Sequence, residues 1–272
     1  MSDSLKRLED TLRPMQSCLV AYSGGVDSVL LAVVAHRVLG DRALAVIADS
    51  PSLPRRELEE ALMIGKEFCF PVRVVRTTEF EDADYLNNPP NRCYFCKHAL
   101  FADLVRIAGE EGFKTIAYGE NLSDLGDFRP GARAAAEFAV RAPLKEAGLT
   151  KGEIRLLSRE LGLPTAEKPQ APCLSSRIPH GQAVTRDKLA MVEAAEAWLH
   201  DQGLRELRVR HHEAETGAPL ARVELGVEES ERVMAESMWP AIEAQLREIG
   251  YGDAVLDERG YRRGSLNQAV AG

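Results

Sequence analysis

The chain of 272 residues has no long apolar run and no excess of basic charge, and each gap removes a class of protein. No stretch approaches the roughly 20 consecutive apolar residues a bilayer-crossing helix needs, so no membrane partner is expected. Met1 to Asp10 is polar and mixed in charge, without the basic start and apolar core of a secretory signal, which makes the cytoplasm the expected compartment. A net charge of -8 argues against binding nucleic acid through overall charge, and an acidic substrate would need arginines and lysines concentrated at its site. The five cysteines are an odd number and read as thiols, metal ligands or catalysts rather than a disulfide framework. What remains is the balance of a globular protein, 45% hydrophobic and 28% charged, long enough for one large domain with a smaller appendage.

Ser17 to Tyr22 is a short apolar run ending in a glycine-rich turn, and Val29 to Leu39 follows at helical spacing. Further strands are predicted over Ala43–Ala48, Val72–Val75 and Thr115–Tyr118, separated by helices over Arg55–Phe68 and Cys96–Glu111. Alternating strands and helices imply an α/β domain with a parallel sheet covered on both faces. A helix from Lys151 to Leu161 closes it, and Pro164, Pro169, Pro172 and Pro179 then punctuate an irregular segment. Beyond lie a helix (Arg186–Asp201), two strands (Leu204–Arg210, Leu220–Leu225), a helix (Ser230–Ile249) and a last strand (Asp253–Asp257), the order of a small α+β domain. The expected division is 1–168, a linker over 169–184 carrying Cys173, and 185–272 as a substrate or oligomerisation domain.

Ser23-Gly24-Gly25-Val26-Asp27-Ser28 sits between the first strand and its helix. The glycines let the backbone approach a phosphate, and the helix start offers unpaired N–H groups and a positive dipole end. Ser23 and Ser28 can add hydroxyl bonds. No lysine follows the glycines, so this is not a Walker-type loop. The hexapeptide resembles the ATP-pyrophosphatase (PP-loop) superfamily, which adenylates a carboxylate or carbonyl and releases pyrophosphate.

Cys93-Tyr94-Phe95-Cys96 opens a helix, where the dipole favours thiolates. The pair could be a redox couple, half a zinc site or chance. With Cys173 it makes three thiols, the number that fits an iron–sulfur cluster with one open iron or an incomplete zinc set. Cys18 and Cys69 fall in or beside apolar runs and read as small core residues. Arg208 and Arg210 alternate on one strand and so face the same way; with Lys97 and Arg177 they are the candidates for gripping substrate anions. Asn121, Asp124 and Asp127 follow a strand's C-terminal end, where open α/β sheets place ligands; they could orient ATP or make an Asx turn. His36, His211 and His212 show no ligand spacing and read as surface residues.

Several stretches together are similar to one family: Asn91 to Lys97, Gly119 to Gly131, Arg141-Ala142-Pro143-Leu144, Pro172 to Pro179 and Arg208 to His211. The chain resembles the LarE family of ATP-dependent pyridinium biscarboxylic acid mononucleotide sulfur transferases, from about Leu5 to about Asp257. The resemblance implies a PP-loop (adenine nucleotide α-hydrolase-like) domain that binds ATP, with Mg2+ expected beside it; the candidate cofactor-binding residues are Ser23, Gly24, Gly25, Asp27, Ser28, Asn121 and Asp124. It implies a small-molecule mononucleotide substrate, a sulfide or sulfur donor, a homo-oligomer, and a product that feeds a nickel-pincer cofactor. In one branch of the family the counterpart of Cys173 gives up its own sulfur and becomes dehydroalanine. The presence of Cys93 and Cys96 resembles the other branch, in which three cysteines hold a 4Fe–4S cluster, and this is the favoured expectation. The alternatives are the sacrificial route, a tRNA thiolase or other PP-loop ligase, and a nucleotide- or cluster-carrying protein without activity.

Overall fold

The computed structural model describes residues 2–124, 130–214 and 217–262. The chain forms two compact units, one of residues 1–81 and 91–171, the other of residues 82–90 and 172–272. Among the described residues no helix is long and apolar enough to cross a membrane.

The first unit is built on four parallel strands, β1 (Cys18–Tyr22), β2 (Ala43–Asp49), β3 (Val72–Arg76) and β4 (Thr115–Tyr118), in the order β3-β2-β1-β4. All five residues of β1 are buried, because a central parallel strand is covered on both faces. Its alternation sorts them into two layers. Cys18, Val20 and Tyr22 join a core with helices α1 (Asp3–Leu12), α2 (Val26–Leu39) and α8 (Lys151–Glu160). Leu19 and Ala21 face the other way, onto Leu100, Phe101, Leu104 and Ile107 of α5 (Arg92–Glu111) and Ala134 and Ala135 of α6 (Pro130–Glu137). α3 (Arg55–Glu67) and the short α7 (Pro143–Glu146) complete this unit. α2 is apolar nearly all round because it lies between the sheet and the outer helices α1 and α8.

The second unit contains the single turn α4 (Ala83–Leu86), α9 (Arg186–Asp201), α10 (Val227–Ala235), α11 (Trp239–Ile249) and a sheet of β5 (Leu207–His212), β6 (Leu220–Leu225) and β7 (Asp253–Leu256). β5 and β6 are antiparallel and β6 and β7 parallel. Leu207, Val209, Ala221, Val223 and Leu225 face a core shared with α9 and α11. Arg208 and Arg210 point to the opposite face, where Arg208 is in register with Glu224 and Arg210 with Arg222.

Several elements differ from the sequence expectation. α5 starts at Arg92 rather than Cys96, directly behind Pro89 and Pro90, which cannot themselves continue a helix. The helix expected over 230–249 is two, broken at Ser237 with φ 52° and restarted with Pro240 in its first turn, where the missing N–H costs nothing. The strand expected from Leu204 begins at Leu207 and runs on to His212. The polar N-terminus forms α1, whose Leu5, Leu8 and Leu12 supply one buried stripe and whose cap is the Ser2 hydroxyl. Cys18 is buried as expected, whereas Cys69 is exposed, in a turn with φ 57°. His211 is not a surface residue: it shares the core face of β5 with Val209 and is 2% exposed, its ring against Tyr251.

Candidate active site

The phosphate loop is held by its own serines. The Ser28 hydroxyl accepts the Ser23 N–H at 3.1 Å, lies 3.1 Å from the Ser23 hydroxyl and donates to the Gly25 carbonyl at 3.1 Å. Gly24 has φ +71°, and a Cβ there would stand 2.9 Å from Ala61 Cβ on α3. Only glycine meets both conditions. A Cβ on Gly25 would meet only the Ser23 hydroxyl, at 3.6 Å, because that residue faces open space.

The open space is a cavity of about 310 Å3 at the C-terminal ends of β1 and β4. Ser23, Gly25, Asp27 and Ser28 line one side; Tyr118, Gly119 and Glu120 of the β4 end, and Cys93 and Lys97 of α5, line others. Cys93 and Lys97 are four residues apart and therefore share a helix face. β4 comes close here: a Cβ on Gly119 would stand 3.1 Å from Asp27 Cβ and from the Ser28 nitrogen. A ligand crevice outside the carboxyl ends of parallel strands is where open α/β sheets bind.

Two carboxylates in the wall have lysine partners. Asp27 Oδ1 accepts from Asn121 Nδ2 at 3.1 Å and Oδ2 from Lys151 Nζ at 2.5 Å. Glu120 accepts from the Tyr118 hydroxyl and, at 3.0 Å, from Lys145 Nζ. Asn121 is 1% exposed and makes an Asx turn, its Oδ1 accepting the Ser123 N–H at 2.9 Å, while its own N–H donates to Asp124 Oδ2 at 3.1 Å. It reaches the cavity through Asp27, and Asp124 reaches it through Asn121. Asp127 lies outside the described residues.

Cys93 and Cys96 lie three residues apart in the first two turns of α5. Cys93 is exposed and Cys96 half-buried. Cys173 belongs to the second unit, at the entry of a 3-10 turn over Leu174–Arg177. Arg177 organises that turn: Nη1 donates to the Pro172 carbonyl at 2.6 Å, the Cys173 carbonyl at 3.2 Å and the Ser176 hydroxyl at 3.0 Å. Cys93 and Cys96 belong to the first unit and Cys173 to the second; thiolates are the donor type that suits a soft group such as an iron–sulfur cluster. Among the described residues no three His, Cys, Asp or Glu form a group that could hold a metal ion.

The arginines expected to grip substrate, Arg177, Arg208 and Arg210, also lie in the second unit. Arg177 pairs with Glu196 through Nε and Nη2, each at 2.9 Å. Arg210 pairs with Glu224 at 2.9 and 3.0 Å and gives Nη1 to the Ser176 carbonyl at 2.6 Å. Arg208 has no carboxylate partner among the described residues; it stacks on Tyr261, 4.6 Å from the ring centre, and donates to its hydroxyl at 3.1 Å. Burial holds its pKa below the ordinary arginine value, and the charges of Arg177 and Arg210 push the same way. Three guanidinium groups against two carboxylates leave this buried face one positive charge in excess, which suits an anion.

Ser23, Gly25, Asp27, Ser28, Cys93 and Lys97 thus surround one cavity, with Gly24 behind it, and Arg177, Arg208 and Arg210 cluster separately in the other unit with Cys173. Sequence reasoning missed Glu120, Lys145, Lys151 and Glu196. Lys151 carries a signal: it is the first residue of a helix, where a cation opposes the dipole unless an acid neutralises it.

A parallel α/β sheet whose first strand turns through Ser-Gly-Gly-Val-Asp-Ser into a helix start defines a PP-loop domain. No family model matches the chain. It is 38% identical over 270 residues, 99% of both chains, to an uncharacterized protein of Synechocystis sp.. It is 33% identical over 260 residues, 95% of this chain and 92% of the relative, to the pyridinium-3,5-bisthiocarboxylic acid mononucleotide synthase of Lactiplantibacillus plantarum. One of the subunits of a glutamine-hydrolysing GMP synthase from Methanococcus maripaludis is 29% identical over 192 residues, 65% of this chain and 61% of that one. The chain belongs to the family of the pyridinium-3,5-bisthiocarboxylic acid mononucleotide synthase, the LarE family.

Proposed function

We propose that the protein is a cytoplasmic, homo-oligomeric, ATP-dependent sulfur transferase. It adenylates a carboxylate of a pyridinium mononucleotide and converts it to a thiocarboxylate on the way to a nickel-pincer cofactor. The observation that carries this reading is that Cys93 and Lys97 wall the same cavity as Ser23, Gly25, Asp27 and Ser28. The phosphate loop and a cysteine line one space there.

The substrate carboxylate attacks the α-phosphorus of ATP, forming an acyl adenylate and releasing pyrophosphate. Carboxylate carbon is a poor acyl donor because oxide would have to leave; adenylation makes AMP the leaving group. A sulfur nucleophile then adds to the carbonyl and AMP departs, leaving the thiocarboxylate. The helix start of α2 and the Ser23 and Ser28 hydroxyls hold the phosphates, with Mg2+ sharing their charge. Lys97 supplies positive charge across the cavity, where pyrophosphate develops. Arg208, the guanidinium without a carboxylate partner among the described residues, is the grip for the substrate's own phosphate or second carboxylate, braced by Arg177 and Arg210. Cys93, Cys96 and Cys173 would hold a 4Fe–4S cluster, which when bound supplies sulfide at an iron without a cysteine ligand.

The sacrificial route is the second reading, favoured by the placement of Cys173 in a turn that Arg177 holds through the Pro172 and Cys173 carbonyls. Anaerobic protein is incubated with ATP, Mg2+ and the biscarboxylic mononucleotide, and pyrophosphate, thiocarboxylate, iron and intact mass are followed. Pyrophosphate and thiocarboxylate formed together support the transferase; pyrophosphate without thiocarboxylate points to another PP-loop ligase. Iron content lost in each of Cys93→Ala, Cys96→Ala and Cys173→Ala supports the cluster. A loss of the mass of hydrogen sulfide after one turnover, with a Cys93→Ala/Cys96→Ala double variant still active, replaces it by the sacrificial route.

A further inference from the structure

A phosphate site at a helix start gains from positive charge, yet the first turn of α2 contains Asp27, which lines the same cavity. An uncompensated carboxylate there would repel the triphosphate that the loop is shaped to receive. The compensation comes from a distant element. Lys151, first residue of α8, places Nζ 2.5 Å from Asp27 Oδ2, and both side chains are sheltered, at 25% and 22% exposure. The lysine is itself held in place: its N–H donates to the Ser123 hydroxyl at 3.0 Å, and Ser123 in turn donates its N–H to Asn121, which holds the other oxygen of Asp27. The Leu122 N–H bonds the Leu149 carbonyl at 2.8 Å, closing the same bracket. A cation at the first position of a helix opposes that helix's dipole, so its placement there needs the partner it has.

We propose that Lys151 is a positioning residue of the nucleotide site. It cancels the charge of Asp27 and aims that carboxylate along the wall, and so sets the affinity for the triphosphate through Asp27 rather than by contact with ATP. The inference rests on the ATP reading of the cavity. It concerns the loop before magnesium arrives, so binding without the metal is where it is read.

The test is binding of ATP in the absence of magnesium, by calorimetry, to the full-length parent, Lys151→Met, Lys151→Arg, Asp27→Asn and Asp27→Asn/Lys151→Met, with melting temperatures measured alongside. Lys151→Met is expected to weaken binding roughly tenfold or more, since an unpaired carboxylate then faces the phosphates in a sheltered site. Lys151→Arg should retain most of the affinity. The double variant, in which the orphaned charge is gone, should return to within about threefold of Asp27→Asn. Unchanged ATP binding by folded Lys151→Met overturns the inference, whatever happens to its melting temperature, as does a double variant that binds no better than Lys151→Met. Gly25→Val separates the two readings. If it binds ATP as the parent does, the cavity is not the nucleotide site and the proposed function fails first; if it loses ATP while Lys151→Met keeps it, only the role of Lys151 fails.

Discussion

Glu196 of α9 receives both Nε and Nη2 of Arg177, each at 2.9 Å, and the oxygen facing Nε also accepts the Val209 N–H at 3.0 Å. One buried carboxylate therefore ties the turn that carries Cys173 to the strand that carries Arg208 and Arg210. Removing one partner of such a pair strands the other charge, at a cost of about 3–5 kcal/mol. Glu196→Ala should lower the stability of the second unit by that amount. Both tryptophans of the chain, Trp198 and Trp239, pack on this unit's core, so denaturation followed by tryptophan fluorescence reads it. An unchanged midpoint would mean that Arg177 finds another partner.

The two glycines of the phosphate loop should fail differently. Gly24→Ala must force a left-handed backbone and push Ala61 away, at about 2–4 kcal/mol of stability. Gly25→Val has room for its Cβ, so it should melt close to the parent and lose ATP binding, because its side chain enters the phosphate space. Melting curves and nucleotide titrations of the two variants check both halves.

His211 is buried neutral, with desolvation pulling its pKa from 6.5 to about 4. The unfolded chain therefore takes up a proton between pH 6.5 and pH 4 that the folded chain refuses. Stability is full above pH 6.5 and falls as pH drops through that window. His211→Phe keeps the ring against Tyr251 and removes the titration. Its stability should be flatter than the parent's from pH 6.5 to pH 4, measured as melting temperature against pH.

Arg208 and Arg210 are distinguishable although they face the same way. Arg210→Ala orphans Glu224 and should cost stability first. Arg208→Met leaves no carboxylate unpaired among the described residues. Losing its charge-assisted bond to a substrate phosphate should weaken mononucleotide binding roughly ten- to a hundredfold, while ATP binding holds. Titrations with each ligand separate the two.

The sequence alone determined the parallel sheet, the phosphate loop and the motifs that carry the family likeness. Apolar strands alternating with helices admit few arrangements, and the hexapeptide is contiguous, so its geometry is local. The same local logic placed Arg208 and Arg210 on one face, since strand alternation requires nothing beyond the strand itself. It misplaced His211 because alternation says which residues share a face but not which face is the core. It also missed α1, where leucines at Leu5, Leu8 and Leu12 among charged residues make a stripe that becomes meaningful only against α2 and α7.

Only the tertiary structure decided which charges meet. Lys151 lies 124 residues from Asp27, Lys145 is 25 from Glu120, and Glu196 is 19 from Arg177. It likewise decided that Tyr85 and Asn88 belong with the second unit, through the Ser175 hydroxyl at 2.8 Å and the carbonyls of Ile178, Pro179 and Gln182 at 2.8–3.2 Å. No composition or spacing near residue 88 announces bonds to residue 179. A hydrogen bond or ion pair needs two groups at contact distance, and for residues far apart in the chain that distance exists only after the intervening strands and helices have packed.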